Sequence, residues 1–230
     1  MRKNKKEVVA EEQEENPLQE LLLQQPESQE DKCYIYRNDF YFNDDITPET
    51  ADKFVKSLIQ IASEMIANCF NLDLNPRSIN IHICSGGGSI DSAIVMMNAI
   101  RSVQRGEFTS IGNIKIPLEV NTIIEGDCSS AATLISIVGN HRKIVKGSSV
   151  TLHEPRFISI QQQGQVTLAT NSRESAYNLE QCSKAMRELY IKFSTNKNLS
   201  EKELEEIMNN EKQSSCEEML KLGLVDEIVE

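Results

Sequence analysis

The sequence contains no long run of apolar residues. Although 39% of its 230 residues are hydrophobic, no segment approaches the roughly 20 consecutive apolar residues that a membrane-spanning helix needs. The first residues carry charges with no apolar segment after them, so we expect no secretory signal. The length is sufficient for one sizeable hydrophobic core. We therefore predict a water-soluble protein of the cytoplasm with one folded domain and a tail.

The sequence also lacks the cysteine and histidine spacings of metal sites. Its six cysteines form no Cys-x-x-Cys pair, and none stands near a histidine at the separation of metal ligands. Scattered cysteines within apolar patterns are typical of reduced, buried thiols in a cytoplasmic protein. We expect neither disulfides nor a bound metal.

The sequence has fewer positively charged residues than negatively charged ones. The chain has 24 Lys and Arg against 35 Asp and Glu, which gives a formal net charge of -11. A surface that binds nucleic acid needs clustered Lys and Arg, so this balance argues against nucleic acid as a partner. We interpret the acidic excess as a contribution to solubility.

The first part of the chain differs in composition from the rest. Residues 1–32 are rich in Glu and Gln and contain Pro17 and Pro26. Such a segment has few groups that would offset the entropy lost on ordering. We predict a flexible acidic extension over residues 1–32, followed by one folded domain over residues 33–230.

The folded domain shows strand and helix patterns in alternation. Thr47 and Pro48 are typical of a helix start, and Ile79, Ile81 and Ile83 alternate as in a strand. The elements predicted next are a helix over 89–103, a strand over 118–124, a helix over 130–138, strands over 143–145 and 149–153, a ribbon over 157–168 and a long helix over 171–193. This alternation predicts parallel strands joined by helical crossovers.

Three segments carry groups suited to acyl transfer. A strand ending at Ile124 leads through Gly126 to Ser130, where small residues begin a helix. His153 comes late in a short strand, and the glycines at 86–88 leave their backbone amides uncovered. A serine, a histidine and bare amides supply a nucleophile, a base and an oxyanion cradle.

Four motifs in this order resemble the proteolytic subunit of the Clp protease family. They are a Gly-Gly-Ser turn at 87–89, a serine-containing helix start at 126–131, a Leu-His-Glu-Pro strand end at 152–155 and a Gly-Leu-Val-Asp segment at 223–226. The resemblance covers roughly residues 34–229, and the segment around Ser130 looks most like divergent, often phage-borne members. It implies an α/β fold of the Clp and crotonase type, made of repeated strand-turn-helix units. A strand and helix over about residues 157–195 would form a protruding handle.

The same resemblance assigns roles to individual residues. It implies that Ser130 is the nucleophile, that His153 is the base, and that the backbone amides of Gly88 and Ala131 bind the oxyanion. Ser129 is the competing serine, but its side chain leaves the turn in a different direction.

The third member of the triad departs from the family pattern. Counting back from residues 223–226, the position of the family's acid falls on Glu211. Hydrolases with either Asp or Glu at this place exist, so Glu211 is the predicted acid. A solvated loop glutamate is the alternative. Glu154 stands next to the base, but alternation along the strand turns it to the other face.

The resemblance implies a Clp-type serine endopeptidase of unfolded polypeptides. The subunits would stack as two seven-membered rings, a tetradecamer, fed by an ATP-driven ring-shaped unfoldase. No Lys-Ser/Thr pair follows the glycines at 86–88, so ATP would be used by the partner, and we expect no cofactor in this chain. Two alternatives stay open: a crotonase-like acyl-CoA enzyme with the same paired amides, and a catalytically silent ring subunit.

Overall fold

The computed structural model describes residues 32–72, 77–156, 158–160, 166–168 and 173–230. The described helices are α1 (Pro48–Leu72), α2 (Ile90–Gln104), α3 (Ala132–Ser136), α4 (Arg173–Phe193), α5 (Glu201–Asn210) and α6 (Cys216–Lys221). The described strands are β1 (Cys33–Tyr36), β2 (Asp39–Phe42), β3 (Ile79–Ser85), β4 (Ser110–Ile111), β5 (Ile114–Lys115), β6 (Val120–Ser129), β7 (Arg142–Val145), β8 (Ser149–Thr151), β9 (Ile158–Ile160), β10 (Val166–Leu168), β11 (Gln213–Ser214) and β12 (Glu227–Val229). The predicted acidic extension lies outside these residues except for Lys32. Among the helices described, none is long and apolar enough to cross a membrane.

The main sheet follows the order β1-β2-β3-β6-β7-β12. Strands β1 and β2 form an antiparallel pair, and every pair from β2 to β12 along this order is parallel. Strand β8 pairs in parallel with the far end of β6, and β11 lies antiparallel on β8. The prediction of parallel pairing across helical crossovers is confirmed, and with it the α/β fold class.

The core forms because strand and helix periodicities put apolar side chains on the same side. Ile79, Ile81 and Ile83 alternate along β3, and all three are fully buried. On α1, Phe54 and Leu58 are four residues apart and point into the same core. Helix α1 begins as predicted, with the Thr47 hydroxyl oxygen accepting the Thr50 N–H at 3.2 Å.

Strand β6 contains an irregularity that the sequence pattern does not show. Ile83 pairs with Ile124 and Ser85 pairs with Cys128, so three residues of β6 face one residue of β3. Gly126 lies within this bulge at φ 101°. Beyond it, β6 leaves β7 and pairs with β8. The predicted strand over 118–124 is therefore too short, and the helix predicted over 130–138 is reduced to α3.

The bulge is stabilised by the residue that precedes β8. The Ser148 hydroxyl accepts the Gly126 N–H at 2.8 Å and donates to the Ile124 carbonyl at 3.3 Å. One buried side chain thus bonds a backbone N–H within the bulge and the carbonyl of the residue at its start.

The Gly-Leu-Val-Asp segment has a structural role. The Asp226 carboxylate accepts the backbone N–H of Arg142 at 3.0 Å and its Nε–H at 2.9 Å, and Nη1 of Arg142 donates to the Phe193 carbonyl at 2.7 Å. Burial acts to raise the pKa of Asp226, but the hydrogen bonds from Arg142 outweigh it and hold the pKa below its usual value. The motif therefore ties β7 to the chain end and to the last turn of α4.

The region predicted as a handle contains a two-stranded ribbon and the long helix. Strands β9 and β10 pair antiparallel, with Val166 opposite Ile160, and α4 follows. Residue 171, where the long helix is predicted to begin, lies outside the described residues. Both α5 and α6 begin with a serine cap, since Ser200 accepts the Glu203 N–H and Ser215 forms a reciprocal capping box with Glu218.

Candidate active site

Ser130 stands at a constrained corner between β6 and α3. Its φ of 57° is in the left-handed region, which a residue with a Cβ rarely adopts. Three hydrogen bonds hold it there: its N–H donates to the Thr151 carbonyl at 2.8 Å, and its carbonyl accepts the Thr133 hydroxyl at 2.6 Å and the Thr133 N–H at 3.1 Å. Such strain persists only where surrounding contacts determine the conformation, and it is common at active sites.

Ser129 differs from Ser130 in both backbone and side-chain environment. It is the last residue of β6, and its hydroxyl donates to Asp127 at 2.6 Å. Ser130 alone of the two lies at the positive-φ corner. The structure therefore separates the two candidate serines in the way that the motif predicts.

His153 follows β8 at the same edge of the sheet as Ser130. Because β8 is parallel to β6, with Thr151 opposite Ser129, both strands deliver their next residues to that edge. The Nδ1 atom of His153 lies 2.7 Å from the Glu154 carbonyl oxygen. A carbonyl only accepts, so Nδ1 is the donor of this bond, and in the neutral ring Nε2 then keeps its lone pair, as a general base requires. Within the described ranges, no hydrogen bond joins the Ser130 hydroxyl to His153, and such bonds often tighten only with substrate.

The glycine segment leaves a backbone amide available beside this corner. Ile46 and Gly88 form a parallel bridge in which the Ile46 N–H donates to Gly87 and the Ser89 N–H donates to Ile46. Neither of these bonds uses the N–H of Gly88, which is one of the two predicted oxyanion donors.

Gly87 explains why this segment must be free of side chains. A Cβ at this position would lie 2.7 Å from the Ser130 Cβ and 3.0 Å from the Ala131 nitrogen. The glycine loop therefore lies directly against Ser130 and against Ala131, whose amide is the second predicted donor. The first hydrogen bonds of α3 are donated by the N–H groups of Thr133 and Leu134, and the N–H of Ala131 is not among these donors.

Glu211 precedes the strand that pairs with β8, and its side chain contacts a residue other than His153. Strand β11 runs antiparallel to β8, with Gln213 opposite Thr151, and the same register continued beyond the paired residues would set Glu211 opposite His153. Glu211 ends α5 in the left-handed conformation, and its carboxylate forms an ion pair with Arg156. Over the residues described, Glu211 makes no hydrogen bond to His153.

Glu154 turns away from the base and toward α4, as predicted. Its Oε1 accepts from Nη1 of Arg187 at 2.6 Å. On the same helix, the Tyr190 hydroxyl lies 2.6 Å from that of Thr133. The sequence analysis assigned no role to Arg187 and Tyr190 within the predicted helix over 171–193. The available signal was their spacing of three residues, which puts two long polar side chains on one face of a helix.

The remaining histidines and the cysteines take no part in this arrangement. His82 bonds Glu125 at 2.7 Å and stacks on Tyr41, and His141 is exposed after a turn. No group of His, Cys, Asp and Glu in the described part of the chain fits a metal ion. Cys128 is buried, and burial raises its pKa to about 12, which keeps this thiol protonated.

Comparison with known proteins defines the class. The family model described as Clp protease matches residues 52–230. The chain therefore belongs to the Clp protease family, as its motifs predict, and this membership supports a peptidase.

One solved structure shows the same fold. The chain is similar to a point mutant of ClpP1 from Listeria monocytogenes, with a TM-score of 0.61 and 17% identity over 84% of this chain and 92% of that one. The search of curated proteins gave no match. The α/β fold of the Clp type is thus established, and residue roles are argued from the geometry.

Proposed function

We propose that the chain is a serine endopeptidase in which Ser130 and His153 carry out acyl transfer. The observation that carries this proposal is the position of Ser130 at a positive-φ corner, bonded to Thr151 on the strand that leads to His153. Strand pairing brings the two residues to one edge, and the tautomer of His153 leaves Nε2 free as the base.

The reaction proceeds in two halves. The Ser130 Oγ attacks the peptide carbonyl carbon while His153 Nε2 takes its proton, and the amides of Gly88 and Ala131 stabilise the oxyanion. Collapse of this intermediate breaks the C–N bond, and His153 returns the proton to the leaving amine. Water then hydrolyses the acyl ester by the same route and regenerates Ser130. Loss of one oxyanion donor typically costs about 100- to 1000-fold in rate.

Glu211 is the proposed acid of the triad, but its carboxylate is paired with Arg156 and must move to reach His153. To bond Nδ1 of His153, its carboxylate has to leave Arg156 and replace the Glu154 carbonyl. The antiparallel pairing of β11 with β8 supports this step because the two strands lead toward Glu211 and His153 in a register that would set them opposite each other. A carboxylate there stabilises the imidazolium that forms as Ser130 attacks.

We also propose that the protein works as a tetradecamer of two seven-membered rings in the cytoplasm. Family membership supports this, and so does α4, where Tyr177 is 60% exposed. The rings would enclose the active sites, and an ATP-driven unfoldase would supply unfolded polypeptides. The glycine segment lacks a nucleotide motif, so ATP hydrolysis is assigned to the partner and no cofactor to this chain.

A silent ring subunit is a second candidate, favoured by the ion pair that holds Glu211 on Arg156. Labelling with a fluorophosphonate, which reacts with activated serines, separates the candidates. The proposal expects labelling of the wild-type protein, its loss in Ser130→Ala and its retention in Ser129→Ala. A wild-type protein that does not label supports the silent subunit or a crotonase-like acyl-CoA enzyme, and loss only in Ser129→Ala moves the nucleophile to Ser129.

A further inference from the structure

One face of helix α4 carries Arg187 and Tyr190, two long side chains whose polar groups are buried. Arg187 is 8% exposed and Tyr190 is fully buried. Residues three apart on a helix are neighbours on one face, so both point toward the same part of the molecule. A buried guanidinium and a buried hydroxyl are costly to desolvate unless they are bonded, and both of these are bonded to the candidate site.

Arg187 is connected to the base through Glu154. Its Nη1 donates to Glu154 Oε1 at 2.6 Å, and its Nε donates to Glu201 at 3.4 Å. The carbonyl of the same Glu154 accepts from His153 Nδ1 at 2.7 Å. The guanidinium therefore anchors the residue whose carbonyl sets the tautomer of His153.

The ion pair between Arg187 and Glu154 is poorly arranged to stabilise the fold. Glu154 Oε2 is buried and, among the described atoms, has no hydrogen-bond partner. Replacing a buried ion pair by apolar residues is often neutral or stabilising. Stability alone therefore gives little reason for Arg187 and Glu154 to be there, whereas placement of the His153 segment does.

Tyr190 is connected to the nucleophile through Thr133. The Thr133 hydroxyl donates its one proton to the Ser130 carbonyl at 2.6 Å. The Tyr190 hydroxyl, at 2.6 Å from Thr133, must then be the donor of that second bond. Burial raises the pKa of Tyr190, so it stays a protonated donor at neutral pH. The chain of bonds runs from Tyr190 through Thr133 to the carbonyl of the strained corner.

We propose that Arg187 and Tyr190 are positioning residues through which helix α4 holds the base and the nucleophile together. This inference rests on the proposed function of Ser130 and His153. One rigid helix face fixes a backbone carbonyl at each of the two residues, so a movement of α4 changes both at once.

The Tyr190 branch is tested by Tyr190→Phe, which removes the hydroxyl and keeps the ring. We expect the rate of fluorophosphonate acylation and kcat to fall about fivefold, the equivalent of one hydrogen bond of ordinary strength, with KM unchanged. Tyr36→Phe, which removes an exposed hydroxyl from β1, is the control. Equal rates in Tyr190→Phe and wild type would overturn this branch.

The Arg187 branch needs a design that separates stability from placement. Arg187→Met leaves the Glu154 carboxylate buried without its partner, so unfolding alone would explain a loss of rate. The double variant Arg187→Met/Glu154→Met removes both charges, and we expect it to unfold at or above the wild-type temperature.

The proposal predicts that this double variant still acylates at least about tenfold more slowly, with a shifted pH profile of kcat because the tautomer is no longer held. Arg187→Lys, which keeps one donor to Glu154, should recover part of the rate. A double variant with wild-type acylation and pH profile would show that the pair serves stability only. Failure of the proposed function is distinct, since the wild-type protein itself would then not label at Ser130.

Discussion

The N–H of Ser130 donates to the carbonyl of Thr151 at 2.8 Å, which joins the end of β6 to the end of β8. His153 comes two residues after Thr151. The distance between the proposed nucleophile and the proposed base is therefore set by a strand pair of the main sheet, and not by two independent loops. Because buried strand pairing is among the most rigid features of a fold, this geometry needs little ordering when substrate binds.

Gly87 provides a test of the contact between the glycine loop and Ser130. Gly87→Ala should lower acylation by at least about 100-fold, comparable to the loss of an oxyanion donor, because the new Cβ would lie 2.7 Å from the Ser130 Cβ. Gly147→Ala is a matched control: its φ of 92° is close to the 95° of Gly87, and no atom lies within 4 Å of the added Cβ. Both variants carry the backbone strain, so similar labelling rates in the two would refute the steric argument.

Glu211 and Arg156 test the acid. If Glu211 bonds His153 during turnover, Glu211→Gln should lower kcat by several orders of magnitude, because an amide neither fixes the tautomer nor stabilises the imidazolium. Arg156→Gln frees the carboxylate and should leave kcat unchanged or raise it. Glu206→Gln, an exposed change on α5, is the control. Steady-state peptide turnover measures all three, and a Glu211→Gln rate within about threefold of wild type would remove Glu211 from the site.

Asp226 should contribute stability that depends on pH. Its pKa in the folded protein is below its ordinary value, so its contribution is full above the unfolded pKa and is lost as the pH falls through the folded one. Asp226→Asn should cost at most about 3–5 kcal/mol at pH 7, reduced because the carboxylate is 29% exposed.

This difference should disappear at pH values below the folded pKa of Asp226. Glu227→Gln, which breaks a surface pair with Lys143, should cost about 0–1 kcal/mol and serves as the control. Urea unfolding at pH 7 and in acid measures both variants. A loss in Asp226→Asn that is the same at the two pH values would contradict the assignment.

Assembly is tested by light scattering on the purified protein. Two rings of seven give a mass many times that of the 26.0 kDa chain. Deleting residues 1–30 should leave the assembly intact, since that segment has little apolar surface with which to hold subunits. A monomer with full peptidase activity would disprove the ring proposal.

Much of the fold could be predicted from sequence because its signals are local. The cap at Thr47 and the alternation of Ile79, Ile81 and Ile83 each depend on neighbouring residues alone. The predicted end of β6 was wrong because a bulge depends on which strand pairs with it, and periodicity within one segment carries no information about β8. The partners of Glu211 and Tyr190 were inaccessible for the same reason.

The bulge in β6 constrains how many residues can separate Ile124 from Ser130. Side chains alternate between the two faces of a strand, so removing one residue from 125–127 would reverse which face each later residue presents. Cys128, now fully buried, would turn outward, and Ser130 would move to the position that Ser129 now holds. Substitutions in this segment should thus be tolerated far better than single-residue deletions, and its length should vary only in steps that preserve parity.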